Sequence, residues 1–306
     1  GNAYMDPDER PIPTLMKKKK GEDEAPQEEE DESGVGADGV LPEPEPLSAV
    51  NAKESGPLEE LFGVHLTECL YSKMWALRDD AVQKVTQQVA SLDLSKSSNI
   101  RTVVQVLRLG LRDKMPQVYL SSLVLLRAVV DAGAASSRAS EVAQALEWTV
   151  ATVTAKLADN NSRVTVPSSE ALAHMAKSPA MGPLPVTSTL LRPMKDPSAW
   201  RPLLARLLLL HSLLLSCDFG TATGLTTDRI MPFALTGLNS ANDQVRKQAI
   251  RVVSELQKRV GPKVEPYLKD VKPQIRELFL KGGAPSGKSP VAAPAPRAAA
   301  RPQGGG

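Results

Sequence analysis

The segment "DQVRKQAIRVVSELQKRVG" constrains the fold more than any other part of the chain. It sets an apolar residue, an arginine, and a small residue four positions after the apolar one: Val245, Arg246 and Ala249. "WALRDDA" repeats that frame with Leu77, Arg78 and Ala81. "MPQVYLSSLVLLRAVV" places Val118 and Ser122 in it, and "NNSRVTVPSSEALAHM" places Val164 and Ser168. "DPSAWRPLLARLLLLHSLL" fits less well, with Trp200-Arg201. Successive anchors lie about 36–46 residues apart, the period of stacked helix pairs. One such pair cannot bury its apolar face alone, so the units must stack into a solenoid. A small residue is expected where the second helix of a pair crosses the first closely.

The rest of the chain agrees with helices. Leu58, Leu61, Phe62, His65, Leu66, Cys69 and Leu70 recur at three- and four-residue spacing, after Pro57 at a helix-start position. Leu77, Ala81, Val85, Val89 and Leu92 form the next stripe. No stretch alternates long enough to demand a sheet. The chain is 42% hydrophobic but only 4% aromatic, which favours stacked helices over a sandwich or barrel. The expectation is an all-α fold: an α-solenoid of about six HEAT-like helical pairs over residues 57–281, capped by "VEPYLKDVKPQIRELFL".

Disordered segments are expected on both sides. Residues 1–56, with "KKKKGEDEAPQEEEDE" and "LPEPEPL", hold 6 basic and 15 acidic residues and too little apolar surface to offset chain entropy. Residues 282–306 are a Pro/Ala/Gly tail. Residues 57–281 hold 28 basic and 20 acidic residues, so the formal net charge of +2 hides an acidic leader before a basic domain. A basic domain calls for an acidic partner: nucleic acid, anionic lipid or an acidic protein surface. The opposite charges also allow the leader to fold back on the domain.

In a solenoid the turns inside pairs line one edge. Here they carry Lys73, Trp75 and Arg78; Arg112, Lys114 and Met115; Asn160, Asn161 and Arg163; Lys195, Trp200 and Arg201; and Asn242, Arg246 and Lys247. Each turn has a cation. Asp79, Asp80, Asp113, Asp159, Asp196 and Asp243 stand near the starts of second helices, where they are expected to cap free N–H groups. Trp75 lies about 200° from Leu77 on the following helix, off the apolar stripe. It either covers the first helix junction or serves as an exposed anchor flanked by Lys73 and Arg78. Trp200 reads as packing beside Pro197 and Pro202, and Trp148 as core or inter-helix filler.

On these residues the chain resembles the TOG domains, a HEAT-repeat family that binds tubulin. "SKMWALRDDAVQKV" resembles the turn of their first repeat, a Trp with a basic residue three positions later. "NDQVRKQAIRVVSEL" resembles their fifth repeat. The resemblance implies a paddle of six repeats whose turns contact the αβ-tubulin heterodimer. It implies Trp75 as a β-tubulin anchor with Arg78 beside it. Asn242, Arg246 and Lys247 would face α-tubulin, and Lys114 and Arg163 would fill the middle turns. Many members have a basic residue directly after the Trp, where this chain has Ala76. "LFGVHLTECLYSKMWALRDDAV" resembles more narrowly a TOG domain from centrioles and ciliary tips, which implies a cytoplasmic, cytoskeletal location.

Other functions find little support. There is no Gly-rich phosphate loop, G-x-S-x-G or H-E-x-x-H, so no enzyme, cofactor or small-molecule substrate is expected. His65, His174 and His211 lie far apart, and His65 and His211 read as core or groove histidines. Cys69 and Cys217 read as small core residues in a reducing compartment, with no metal site. The longest apolar run, "LLLLHSLLLSC", is too short for a bilayer span of roughly 20 residues, so no membrane is expected. The fragment is expected to be a monomer. The rivals are a generic HEAT-repeat scaffold or adaptor and a basic solenoid for nucleic acid. The latter is disfavoured by the shortage of stacking aromatics.

Overall fold

The computed structural model describes residues 41–280; the expected disorder of 1–40 and 281–306 lies outside the described residues. Among the described residues there are helices and no strand, only an isolated bridge between Gly220 and Leu225. The first unit is α1 (Ala52–Phe62) and α2 (Val64–Tyr71) followed by α3 (Trp75–Val89). Then come α4 (Ser97–Gly110) with α5 (Pro116–Ala134), and α6 (Ala139–Lys156) with α7 (Ser162–Lys177). The next pairs are α8 (Leu184–Leu190) with α9 (Trp200–Ser216), and α10 (Thr227–Leu238) with α11 (Asp243–Val260). A 3-10 segment (Gly261–Leu268) and α12 (Pro273–Leu280) close the stack. The second helices α3, α5, α7, α9 and α11 pack in succession into one layer. The first helices form the other, and a continuous apolar core from Leu58 to Phe279 lies between.

The small residue of the frame has the expected cause. A Cβ placed on Gly110 of α4 would lie 1.9 Å from Ser122 Oγ, and one on Gly237 of α10 would lie 2.8 Å from the Cβ of Ala249. Both pairs therefore cross glycine against small residue, and neither helix could approach so closely with larger side chains. The fourth unit departs from the reading of Trp200-Arg201 as anchor. The buried residues there are Leu203 and Leu207, while Trp200 is half-buried and Arg201 exposed. Trp200 starts α9 and Pro202 takes the third position, where Leu77 and Val245 stand in α3 and α11, so the apolar face begins one residue later. Leu207 is large, but its Cδ1 extends against Gly237 of the next unit.

Several local expectations need correction. Pro57 does not start a helix; it sits inside α1, which begins at Ala52 and gives up one backbone hydrogen bond there. The helical domain accordingly begins before residue 57, and residues 41–51 lie on it, with Leu41 packed against the core. The stripe from Leu58 to Leu70 is two helices, split at Gly63, whose φ of 86° suits glycine. That break turns His65 outward: its side chain is 61% exposed, 3.5 Å from Glu43, and it is not a core histidine. His211 is half-buried, and burial lowers its pKa. Leu92 falls beyond α3 and is half-buried. Cys69 is buried, which raises its thiol pKa, and Cys217 is half-buried just past α9.

The helix long and apolar enough to span a membrane, by length and composition among the described residues, is α5. Its apolarity is used internally, because it packs on α3, α4, α6 and α7 and buries Leu123, Leu125, Leu126, Val129 and Val130. Buried polar pairs tie the second-helix layer together. Ser121 donates to Asp79 at 2.5 Å, joining α5 to α3, and Tyr119 Oη lies 2.7 Å from Ser168 Oγ, joining α5 to α7. Each pair satisfies groups that would otherwise be stranded in apolar surroundings.

Candidate functional site

The five within-pair turns cover residues 72–74, 111–115, 157–161, 191–199 and 239–242. They share one local device. In each, a short polar side chain accepts a hydrogen bond from the backbone N–H two residues on. Ser72 accepts from Met74 (3.1 Å), Asp113 from Met115 (2.8 Å) and Asp159 from Asn161 (2.9 Å). Asp196 accepts from Ser198 (2.9 Å), and Ser240 from Asn242 (3.2 Å). These are Asx- and ST-turns, which set the chain angle just before the helix. Hydrogen bonds from Ser198 hold the Asp196 carboxyl below its usual pKa.

The aspartates are thus structural, but not as helix caps. Side-chain caps come from Asn161, which accepts from the N–H of Arg163 at 2.9 Å, and Asn242, which accepts from Gln244 at 2.9 Å and Val245 at 3.2 Å. Asp79 is buried against Ser121 and Gln83 instead of capping α3, and Asp80 pairs with Lys84 at 2.7 Å. Met74 precedes α3 with no side-chain cap.

The arginine of the repeat frame clasps its own turn. Arg78 Nη1 donates to the carbonyls of Ser72 (2.9 Å) and Lys73 (2.8 Å). Its Nε and Nη2 donate to Asp113 at 2.7 and 3.0 Å, which bridges the first turn to the second. Arg246 repeats the pattern six and five residues back, on Ser240 (2.9 Å) and Ala241 (2.6 Å), and adds Asp243 at 3.2 Å. Arg78 is only 19% exposed and Arg246 29%. Both guanidiniums are committed within the fold, as is the Asn242 amide oxygen.

Other predicted residues stay accessible. Lys73, Lys114 and Arg163 are exposed, and no carboxylate lies within 4.0 Å of any of them among the described residues. Lys247 is 70% exposed and pairs with Asp243 at 2.7 Å; that hydrogen bond, the largest cause, lowers the Asp243 pKa. Such a surface pair contributes little to stability and leaves Lys247 free to exchange partners. Met115 is half-buried at the start of α5. Trp75 is the first residue of α3, half-buried and packed against the core, so it is a rim residue with one side in the fold. Arg201 reaches back to Asn160 at 3.1 Å and stacks on Trp200 at 4.9 Å, linking the fourth turn to the third. The first turn is thus bridged to the second and the third to the fourth.

Trp148 packs against the core, as its filler reading implies, but its stacking with cations was not foreseen. It is more than filler: half-buried on α6, it carries Arg108 and Arg112 over its ring at 5.2 and 5.9 Å. The signal was the four-residue spacing of Arg108 and Arg112, which sets Arg108 at the end of α4 and Arg112 in the second turn on one side.

Relatives match this architecture. The family model described as "Centrosomal protein CEP104, TOG domain" matches residues 52–252. The human centrosomal protein of 104 kDa is 26% identical over 272 residues, covering 85% of this chain and 29% of the relative. The chain thus spans under a third of that relative's length. The TOG domain structure of human Cep104 superposes with a TM-score of 0.63 at 22% identity, over 79% of this chain and 98% of that one. A structure titled for tubulin recruitment and assembly by microtubule polymerases with TOG domain arrays superposes at 0.57 and 12% identity, over 70% of this chain and 44% of that one. At such identities the structural likeness carries the fold, and the match over 52–252 carries the family: the chain belongs to the CEP104-type TOG domains.

Proposed function

We propose that the chain binds the αβ-tubulin heterodimer, without catalysis, by laying its turn edge across the dimer. Membership of the family carries a general association with tubulin and microtubules. The finer reading rests on one observation: five turns braced by the same local device, with Lys73, Lys114 and Arg163 exposed on them and no carboxylate within 4.0 Å of any of the three among the described residues. An acidic protein surface would neutralise those cations. Trp75 supplies the apolar contact at the first turn, Met115 adds to it at the second, and Lys247 serves the fifth. Arg78, Arg246 and Asn242 act by holding the turns in shape. The proposed setting is the cytoplasm, at centrioles and the microtubule ends of cilia.

The test is co-elution of the purified chain with tubulin. The complex is expected at low salt and should dissociate as ionic strength rises, because exposed pairs are screened beyond about 10 Å at 0.1 M. Failure to co-elute at any salt concentration would overturn the reading. Equal binding of duplex or single-stranded nucleic acid at the same salt would favour a general polyanion surface instead.

A further inference from the structure

A basic surface lies beside the first two turns and extends past them onto α6. Arg78 holds the Lys73 carbonyl and the Asp113 carboxylate on one guanidinium, so Lys73, Arg112 and Lys114 are brought around a single point. Arg112 and Arg108 continue the patch onto Trp148 of α6. Asp113, the acid at the centre, is already neutralised by Arg78 and is only 9% exposed. None of Lys73, Arg108, Arg112 and Lys114 has a carboxylate within 4.0 Å among the described residues. Four cations beside a half-buried indole are suited to an extended acidic peptide.

The chain carries such a peptide within reach of this place. Its described residues begin at Leu41, packed on the core. Glu43 then lies 3.5 Å from His65, and Glu45 accepts from Ser72 Oγ at 2.7 Å. Ser72 belongs to the first turn, and its hydrogen bond, with the charge of Lys73 as a smaller cause, lowers the Glu45 pKa. The segment thus already touches the edge with a carboxylate. Nine residues upstream of Leu41 ends the block "EEEDE" at 28–32. Nine extended residues reach about 30 Å. Adjacent helices lie about 8–10 Å apart, so the block can cover the first and second turns.

We propose that Lys73, Arg108, Arg112, Lys114 and Trp148 form a docking surface for an acidic peptide, and that its occupant is the chain's own block 28–32. Since Lys73 and Lys114 also belong to the tubulin edge, the block competes with tubulin for them; this consequence rests on the tubulin reading, while the docking does not. A tethered segment has an effective concentration of order 1 mM, so against a contact of millimolar strength or somewhat tighter it masks the site about two- to tenfold.

Two experiments on the full chain separate these statements. Carbodiimide joins carboxylates directly to lysine amines, and mass spectrometry locates the links. Residues 28–32 are expected to link to Lys73 and Lys114 at low salt. Those links should fall at least about threefold with R108Q/R112Q, whose fold is checked by circular dichroism, and also as salt screens the charges. Links spread evenly over surface lysines, or confined to Lys17–Lys20, would overturn the docking. The second experiment neutralises the block with E28Q/E29Q/E30Q/D31N/E32Q, changes outside the described residues. Tubulin affinity at low salt should then rise about two- to tenfold. Unchanged affinity with the links present would overturn the competition alone. If no variant binds tubulin but the links form, the tubulin reading fails and the docking stands.

Discussion

The guanidinium of Arg78 closes on the carboxylate of Asp113 through hydrogen bonds of 2.7 and 3.0 Å, and so ties the first turn of the solenoid to the second. The pair is mostly shielded from water, at 19% and 9% exposure. It fixes where Lys73 and Lys114 stand. Arg78 thereby holds the two turns that carry the exposed Lys73 and Lys114.

Breaking that pair from one side should cost more than removing any exposed cation. Asp113→Ala strands the Arg78 guanidinium and the Met115 N–H together. A loss of about 3 kcal/mol is expected by urea denaturation, as for other shielded pairs broken from one side. Lys73→Ala should change stability by less than about 0.5 kcal/mol. Equal, small effects for both would show that the clasp is not stabilising.

Gly110 and Gly237 predict a steric rule. Gly237→Ala would force a methyl to about van der Waals overlap with Ala249 and Leu207, at 2.8 Å to each. Such overpacking costs about 1–3 kcal/mol. Adding Ala249→Gly should restore part of it, giving a coupling energy of about 0.5 kcal/mol or more in a double-mutant cycle. Additive losses would mean that α10 moves away as a unit.

Trp75→Ala tests the anchor. Tubulin affinity should fall about thirtyfold, or roughly 2 kcal/mol. Because the ring is half-buried against the core, stability should fall as well, by about 1 kcal/mol. A stability loss well above the binding loss would make Trp75 a packing residue alone.

Tyr119 gives a pH prediction. Burial pushes its phenol up to about 12, against a partly offsetting hydrogen bond with Ser168. The unfolded chain therefore ionises at this group first, near pH 10, and stability falls as pH rises from there to about 12. Below pH 10 the group contributes no pH dependence. Tyr119→Phe loses the bond to Ser168 but should flatten the alkaline slope of unfolding free energy measured between pH 10 and 12. An unchanged slope would show that Tyr119 does not carry it.

Much of the architecture was legible because it is periodic. The apolar anchors Leu77, Val118, Val164 and Val245 are all buried, and the small residues four positions on all stand in the core. Periodicity depends only on which side of a helix faces inward, and composition records that. Exceptions arose where one backbone-specific residue overrode it. Gly63 broke a continuous stripe, and Pro202 displaced the anchor of α9 by one position. The Asx- and ST-turns were also present in the sequence, as "SKM", "DKM", "DNN", "DPS" and "SAN". Their regular spacing shows only when each is set against the start of its helix.

Sequence alone therefore determined the stacked helix pairs, the edge on which their turns gather, and the excess of cations along it. Those are local properties, set by residue type and spacing. It did not determine which cations are free. Arg78 and Arg246 differ from Lys114 and Arg163 only in what the fold places within reach: backbone carbonyls a turn back, and for Arg78 a carboxylate 35 residues away. The Arg78–Asp113 bonds join groups distant in the chain, which only packing of one unit on the next brings together, while the carbonyl bonds of Arg78 and Arg246 require the folded shape of each turn.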